Sequence, residues 1–320
     1  MNRWVKHVLL ALLAIAIASA CHRTATERVA TPTSVISPSP CRTVQHKRGE
    51  TCVPHNPQRV ITLWIDTFSN TLALGIKPIA TSQNLGEPLP KYLQNKVDSV
   101  ESTGSFVQPS LEKILLLKPD LVLSMTRPYL EDVYTKLSNV IPTVVIDVPG
   151  VDKLSWQKHL EDVANILGRE QEEKQLISAY WQRIEQLKQA LGDRRHHLQV
   201  SIATIYPDFI NVYGKVLPVS AVLNDLELQR PLAQSQDSII SLSQENLFDI
   251  DGDVLFLSYD GGETAKQSLE ELQKSPLWQK LKVVQQNRVY IVDIHHWYAA
   301  SILAMNAVLD DLEKYLINTP

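Results

Sequence analysis

The longest regular pattern of apolar and polar positions runs from Glu170 to Leu191. Apolar residues recur there three and four positions apart, and neither Gly nor Pro interrupts them, so the pattern predicts an α-helix. The segment opens with acidic residues and is followed by Arg194 and Arg195, the polarity that the helix dipole favours. At 1.5 Å per residue, the helix would be about 33 Å long, roughly the width of a small domain.

A shorter pattern occurs on both sides of this helix. Ser110 and Glu112 precede an apolar helix pattern that leads to a strand after Asp120, and Ser243 and Glu245 precede a similar pattern that leads to Asp253. The Glu-to-Asp spacing is the same in both copies. Ser is favoured as a helix N-cap, and a carboxylate is favoured in the first turn. The repeat predicts two similar lobes joined by the long helix.

Strand and helix patterns alternate in both blocks, which predicts an α/β fold with parallel sheets. In the first block, residues 60–65 predict a strand, and Asp66 is predicted to cap the next helix. In the second block, residues 211–214 predict a hairpin-like strand. We therefore predict two parallel-sheet lobes bridged by a single long helix. The predicted boundaries are an N-terminal lobe at 41–150, connecting helices at 151–192, and a C-terminal lobe at 193–320.

The N-terminus has the pattern of an export signal. Basic residues precede an apolar run at 8–18, which is too short for a comfortable transmembrane span, and small residues follow. We predict a signal peptide at 1–20. Small residues directly before Cys21 resemble a bacterial lipobox, which would lipidate Cys21 and leave 21–40 as a flexible tether rich in Ser, Thr and Pro. A plain signal peptide is the alternative. Either outcome exports the chain, and lipidation would anchor it in the periplasm or at the outer face of the cytoplasmic membrane.

Composition narrows the function classes. The chain has 320 residues and a net charge of −4, without a basic cluster interleaved with aromatic residues, so nucleic acid is not an expected partner. Cys41 and Cys52 form an even pair in an exported chain, which predicts a disulfide, with two unpaired thiols as the alternative. Their spacing does not suit a zinc site, and the histidines are scattered, which argues against a metal site built from His.

Ligands of open α/β sheets bind beyond the carboxyl ends of the strands, and aromatic and basic residues stand at several of these ends. Arg can pair with two oxygens of a carboxylate or hydroxamate, and Tyr and Trp offer flat faces with polar tips. The alternative for the aromatic residues is packing at the strand ends. The candidate ligand-binding residues are Trp64, Arg127, Tyr129, Tyr206, Tyr213, Tyr259, Trp297 and Tyr298.

Five stretches together carry a family resemblance. They are Asn56-Pro57-Gln58-Arg59-Val60, Ala73-Leu74-Gly75-Ile76-Lys77-Pro78, Leu111-Glu112-Lys113-Ile114 with Lys118-Pro119-Asp120-Leu121-Val122, Ser275-Pro276-Leu277-Trp278, and residues 299–309. With them, essentially all of the mature chain resembles the siderophore-binding members of the bacterial ABC-importer substrate-binding proteins, the ferric hydroxamate, ferric citrate and cobalamin-related group.

The resemblance implies that a ferric siderophore binds in a cleft between two lobes whose motion is a small hinge. It implies that Glu112 and Glu245 dock onto an ABC permease dimer, and that Trp297 faces the ligand. The siderophore would hold the iron, so no cofactor and no direct metal ligand are expected, and the receptor is expected to be a monomer. Arg127 is the one clear cleft arginine, which favours a hydroxamate or citrate–hydroxamate chelate over ferric citrate.

Other functions remain open at this point. The same receptor class binds cobalamin or haem, for which His295 and His296 would be axial ligands. Direct binding of a metal ion through tyrosines is another alternative. An enzyme is not expected, because the sequence contains no Gly-rich phosphate loop, no nucleophile elbow and no metalloprotease His motif.

Overall fold

The computed structural model describes residues 41–83, 88–148 and 155–318, with the backbone alone at 244 and 245. Cys41–Pro320 forms one compact unit. The predicted signal peptide, Cys21 and the tether at 21–40 lie outside the described residues, and the lobe boundaries at 150 and 193 stay predictions. Within the described ranges, none of the helices is both long and apolar enough to span a bilayer.

The first lobe holds a hairpin and a five-stranded parallel sheet. Its strands are β1 (Cys41–His46), β2 (Gly49–Pro54), β3 (Val60–Thr62), β4 (Ala80–Thr81), β5 (Glu101–Ser102), β6 (Leu121–Met125) and β7 (Thr143–Ile146). Its helices are α1 (Ile65–Ala73), α2 (Lys91–Gln94), α3 (Leu111–Leu116) and α4 (Glu131–Leu137). The sheet order is β5-β4-β3-β6-β7. Every residue of β3, β6 and β7 is buried, which explains their continuous apolar sequences.

The hairpin carries the predicted cysteine pair. β1 and β2 run antiparallel, and Cys41 and Cys52 face each other across them with 5.4 Å between their Cα atoms, a separation that suits a disulfide. The turn of the hairpin contacts the five-stranded sheet, because the Lys47 backbone N–H donates a hydrogen bond to the Val145 carbonyl of β7.

The connector matches its predicted form. Helix α5 (Trp156–Leu167) ends at Gly168, whose φ of 66° is a left-handed conformation that favours glycine. Helix α6 (Glu170–Leu191) follows with the bounds that its periodicity predicts. Tyr180 on its buried face donates a hydrogen bond of 2.7 Å to Asp225 in the second lobe.

The second lobe is a mixed sheet covered by helices. Its strands are β8 (Val200–Ile205), β9 (Ile210–Tyr213), β10 (Ile239–Leu242), β11 (Val254–Tyr259) and β12 (Val289–Ile291). Its helices are α7 (Pro218–Asp225), α8 (Gly262–Lys274), α9 (Lys282–Gln285), α10 (Ile294–Trp297) and α11 (Ile302–Leu316). Short 3₁₀ helices in the two lobes and the connector cover Pro128–Leu130, Gly192–His196, Leu232–Gln234, Gln244–Ile250 and Trp278–Lys280.

The second sheet differs from the prediction of two parallel sheets. Its order is β10-β9-β8-β11-β12, and only β8, β11 and β12 are parallel. The hairpin-like segment after β8 folds back as the antiparallel strand β9, and β10 pairs antiparallel with it. The sequence predicts this hairpin, but it does not predict that the hairpin makes the second sheet mixed.

The internal repeat has a structural basis in its aspartates. Asp120 accepts hydrogen bonds from the backbone N–H groups of Gln58 and Arg59, just before β3, and Asp253 accepts one from Gln199, just before β8. The repeat is less regular at its serines. Ser110 caps α3 as predicted, whereas the second copy is a 3₁₀ helix without a side-chain cap.

The last helix joins the two lobes at a second place besides α6. Ser301 and Ile302 begin α11, and both bond to buried polar residues of α1 in the first lobe. Ser69 donates to the Ser301 hydroxyl at 2.8 Å, and Asn70 accepts from the Ile302 N–H at 3.1 Å. These hydrogen bonds between α1 and α11 explain why α1 buries polar side chains.

Candidate functional site

A cavity of about 640 Å³ lies between the two lobes at the carboxyl ends of their strands. Trp64 and Arg127 enter it from the loops after β3 and β6, and Tyr206, Tyr259 and Asp293 enter it from the ends of β8, β11 and β12. Both lobes therefore contribute residues to one site. Its position agrees with the rule that ligands of α/β sheets bind beyond the carboxyl ends of the strands. The other lining residues are Ile65, Asp66, Pro88, Leu89, Pro90, Lys91, Gln94, Leu217, Pro218, Asp260, Gly261, Gly262, Ile294, His295, Tyr298 and Ala299.

Trp64 is the centre of the first-lobe wall. The Arg127 guanidinium lies 5.7 Å from the centroid of its ring, and Phe106 packs edge-on against it at 5.2 Å. The indole Nε1–H donates to Asp66 Oδ2 at 3.1 Å. Arg127 is itself fixed, because its Nη1 donates to the carbonyls of Thr126 and Val148 at 2.9 and 3.2 Å. The wall thus presents a positioned aromatic face and a positioned cation to the cavity.

Tyr206 and Tyr298 belong to the second-lobe wall, and Tyr213 packs behind them. The hydroxyls of Tyr206 and Tyr213 lie 3.4 Å apart, and the rings of Tyr213 and Tyr298 meet edge-on at 5.1 Å. Burial raises the pKa values of Tyr206 and Tyr298 well above the usual value of a phenol. Both side chains therefore keep their protons and can donate hydrogen bonds to ligand oxygens.

Five of the eight predicted ligand residues line the cavity together. They are Trp64, Arg127, Tyr206, Tyr259 and Tyr298. Tyr259 is 37% exposed and stands at the cavity mouth beside the turn that starts α8.

Three predicted ligand residues lie elsewhere. Trp297 is 1% exposed, packs on Phe256 with ring centroids 4.5 Å apart, and donates to Asp311 at 2.8 Å, so it is a core residue. The prediction failed because α10 turns the side chain toward α11 instead of the cleft. Tyr213 is fully buried behind Tyr206. Tyr129 is on the 3₁₀ turn after Arg127 and does not line the cavity.

The sequence did not identify several of the residues that line the cavity. The sequence predicts Asp66 as a helix cap, but Trp64 occupies the N-cap position of α1 and Asp66 lies within its first turn. Burial raises the pKa of Asp66 to about 6, against the opposing hydrogen bond from Trp64. Asp293 accepts a 2.8 Å hydrogen bond from His295, and this bond lowers the pKa of Asp293 to about 2. The sequence did carry one signal that Asp66 and Asp293 could belong to the site, because both follow strands.

The two glutamates predicted to dock onto a permease lie in helices outside the cavity wall. Glu112 is exposed in the first turn of α3. Glu245 is in the 3₁₀ helix Gln244–Ile250, and its side chain is outside the described part of the chain. In the described part of the chain, no three or more His, Cys, Asp and Glu residues are grouped to hold a metal ion.

Comparisons with known proteins agree with this architecture. The family model described as periplasmic binding protein matches residues 69–294. The chain is 29% identical over 334 aligned positions to a probable siderophore-binding lipoprotein, YfiY, of Bacillus subtilis, with 100% of each chain covered. It is 30% identical over 269 positions to the achromobactin-binding periplasmic protein of Dickeya dadantii, covering 81% of this chain and 86% of the relative. The crystal structure of Staphylococcus aureus SirA with staphyloferrin B matches with a TM-score of 0.72 and 25% identity, covering 86% of this chain and 98% of SirA.

Proposed function

We propose that this chain, which belongs to the periplasmic binding protein family, captures a ferric siderophore in the cavity between its lobes and delivers it to an ABC permease. The observation that carries the proposal is the cavity itself, which combines a positioned Trp64–Arg127 pair on one wall with protonated tyrosines on the other. Its volume of about 640 Å³ is in the range of small-molecule sites. Relatives named for siderophores support the same ligand class.

The charges of the wall support a hydroxamate or citrate–hydroxamate chelate. Arg127 and Lys91 are the strong bases among the lining residues, and the three carboxyl groups of Asp66, Asp260 and Asp293 outnumber them. A strongly anionic ferric citrate would need an excess of positive charge, since each unpaired buried charge is costly. A hydroxamate chelate carries less negative charge and offers oxygens for Arg127 and the tyrosine hydroxyls.

Titration of tryptophan fluorescence tests the proposal, because Trp64 reports from the cavity wall. The chain from residue 22 onward is titrated with ferric hydroxamates, ferric citrate, ferric catecholates, haem, cobalamin and unchelated iron. Saturable quenching by one chelate class supports the receptor and identifies that class. Saturation by unchelated iron alone would favour direct metal binding, and no response to any compound would contradict the proposed function.

Arg127 provides a sharper prediction. Replacing it with alanine should weaken binding of a ferric hydroxamate by about 10- to 100-fold, the effect of losing a charge-assisted hydrogen bond. The guanidinium is already fixed by two carbonyls, so the parent protein loses little side-chain entropy on binding. Tyr129→Ala is the matched control, because Tyr129 is two positions away and outside the wall. Equal losses in both variants would contradict a specific role for Arg127.

Haem is the second candidate ligand, and one observation favours it. His295 lines the cavity, and its Nδ1 pairs with Asp293 at 2.8 Å, an arrangement that orients an imidazole for metal ligation in other proteins. His296, the other predicted axial ligand, is buried and bonded to Asp311, away from the cavity wall. A Soret shift on titration with haem, lost in His295→Gln, would establish this candidate, and an unchanged haem spectrum would contradict it.

The lipid anchor is part of the proposal. Cys21 would carry diacylglycerol and hold the receptor at the outer face of the cytoplasmic membrane as a monomer. Cys21→Ala should move the protein from the membrane fraction to the soluble fraction without changing its affinity for the chelate. An unchanged membrane fraction would contradict lipidation. Alkylation of the cell-surface protein without reductant also tests the Cys41–Cys52 pair, which should stay unmodified.

A further inference from the structure

A second, smaller pocket lies beside the cavity between the lobes, and we call it the side pocket. It has a volume of about 180 Å³, and three of its lining residues, Ser82, Gln83 and Phe106, do not line the larger cavity. The two spaces are neighbours, because they share five lining residues: Trp64, Ile65, Pro88, Pro90 and His295. The side pocket is too small for a whole ferric chelate, and its position suits one arm of a ligand that occupies the larger cavity.

The side pocket is lined mainly by apolar side chains. The rings of Trp64 and Phe106 meet edge-on with 5.2 Å between their centroids, and two proline rings and an isoleucine also line the pocket. Among its eight described lining residues, the titratable one is His295, whose Nδ1 pairs with Asp293 at 2.8 Å. The larger cavity, by contrast, is lined by two strong bases and three carboxyl groups. The two spaces therefore suit chemically different parts of one ligand.

Hydrogen-bonding groups in the wall of the side pocket are already used within the protein or are buried. The indole Nε1–H of Trp64 donates to Asp66 at 3.1 Å, and the hydroxyls of Ser82 and Thr103 lie 2.8 Å apart. The side-chain oxygen of Gln83 is buried, so it is not accessible to a ligand. A polar occupant would lose its hydrogen bonds to water there without replacing them, whereas an apolar arm has none to lose.

The volume of the side pocket limits the size of the arm. An apolar cavity of about 150 Å³ holds a molecule of the size of benzene, so a pocket of about 180 Å³ accommodates roughly six carbon atoms. A hydroxamate binds iron through its two oxygens and carries its acyl chain on the side away from the metal. Such a chain can extend into the side pocket while the iron-bound oxygens stay near Arg127.

We propose that the side pocket is a specificity subsite for an apolar acyl arm of roughly six carbons on a ferric hydroxamate. The inference rests on the proposed function and narrows its ligand class to chelates that carry such an arm. The arm packs against Trp64 and Phe106, while the iron-bound oxygens contact Arg127 and the hydroxyls of Tyr206 and Tyr298. The apolar and the polar parts of the ligand thus occupy separate, adjoining spaces.

Three ferric chelates that differ in one substituent test the inference. All are complexes of the same linear trihydroxamate, whose terminal acyl group is acetyl, hexanoyl, or a chain of the hexanoyl length that ends in a carboxylate. The parent protein should bind the hexanoyl form about 10- to 100-fold more tightly than the acetyl form, because each buried CH₂ group favours binding by about threefold or more. The carboxylate-ended arm should show little of this gain, and an equal gain for both long arms would overturn the inference.

Phe106→Ala assigns the gain to the side pocket, because Phe106 lines this pocket and not the larger cavity. In this variant the preference for hexanoyl over acetyl should fall by about threefold or more, and Phe106→Leu, which keeps an apolar side chain, should retain most of it. Phe248→Ala is the matched control, since Phe248 is 49% exposed and lines neither space. Near-UV circular dichroism checks the fold of each variant. An undiminished preference in folded Phe106→Ala overturns the inference, even if both affinities fall because Trp64 has lost a neighbour.

The heat capacity change of binding gives an independent readout, because burial of apolar surface makes this change more negative. Calorimetric titrations at several temperatures should give a more negative value for the hexanoyl chelate than for the acetyl chelate. Phe106→Ala should reduce the difference between the two values, and Phe248→Ala should leave it unchanged. Equal values for the two chelates in the parent protein would mean that the arm stays in solvent, which overturns the inference.

Failure of this inference is distinguishable from failure of the proposed function. Equal binding of the acetyl and hexanoyl chelates by the parent protein overturns the role of the side pocket and leaves the siderophore receptor in place. Binding of none of the three chelates overturns the inference together with the hydroxamate class, and the wider ligand panel then decides the receptor function.

Discussion

Replacing Glu112 and Glu245 together by alanine should abolish uptake of the ferric siderophore by whole cells, while the affinity of the purified receptor for the chelate stays within about threefold. Glu112 is exposed in α3, away from the residues that line the cavity, so its removal leaves the binding site intact. Uptake of radiolabelled iron and fluorescence titration measure the two quantities separately.

The repeat within the chain supports a partner with two similar docking surfaces. Glu112 and Glu245 hold equivalent positions at the starts of helices in the two lobes. Exposed apolar side chains accompany both positions. Leu115 and Leu116 are 48% and 72% exposed, and Phe248 is 49% exposed. A dimeric permease would present its two copies of one surface to these two patches, and an acidic rim beside an apolar patch is typical of such interfaces.

The matched control removes two exposed acidic residues from other elements. Glu185 lies on α6 and Glu270 on α8, and replacing both with alanine changes the net charge by the same amount. This control should transport iron normally, and each single variant, Glu112→Ala or Glu245→Ala, should retain part of the activity. Normal uptake by the Glu112→Ala, Glu245→Ala variant would refute the docking assignment.

Replacing Trp297 by alanine should destabilise the protein by about 3–5 kcal/mol, the usual effect of deleting a large buried aromatic side chain. Trp297 is 1% exposed and packs on Phe256 in the main core. The substitution also removes the 2.8 Å hydrogen bond to Asp311, whose Oδ2 is also within hydrogen-bond distance of His296. Urea denaturation followed by circular dichroism measures the change in the free energy of unfolding.

Trp181 is the control for this prediction. It is 41% exposed on the surface of α6, so Trp181→Ala should change the free energy of unfolding by about 0.5 kcal/mol or less, as is usual for surface substitutions. If Trp297 instead faced the ligand, its alanine variant would lose affinity and keep its unfolding midpoint. That result would contradict the burial of Trp297 in the core.

The regular elements of this fold were accessible from the sequence because they rest on local patterns. The helix at Glu170–Leu191 has an uninterrupted apolar stripe, good helix formers and a matching dipole, and the structure has the same bounds. The repeat at Asp120 and Asp253 was visible because each carboxylate has the same backbone-capping role in its lobe. The hairpin after β8 was also local, since its turn residues interrupt two apolar runs.

Local sequence patterns did not predict the direction in which the side chains after each strand point. Trp297 and Tyr298 are neighbours in sequence, yet Trp297 packs in the core while Tyr298 lines the cavity. Trp297 is the last residue of α10 and Tyr298 its C-cap, so their side chains point in directions about 100° apart. The packing of α10 against α11 decides which of them faces the cleft. The sequence supported both residues, and the family resemblance favoured Trp297.

By itself, the sequence determined the α/β class, the long connecting helix, the two-lobed repeat and the family resemblance, because periodicity, caps and motif spacing are local properties of the chain. The tertiary structure decided which strand-end residues share a cavity and which carboxylate is buried in its wall. Asp66 shows the reason. Its distinct chemistry comes from burial beside Trp64 and from the approach of the second lobe, and both arise only when distant segments pack together.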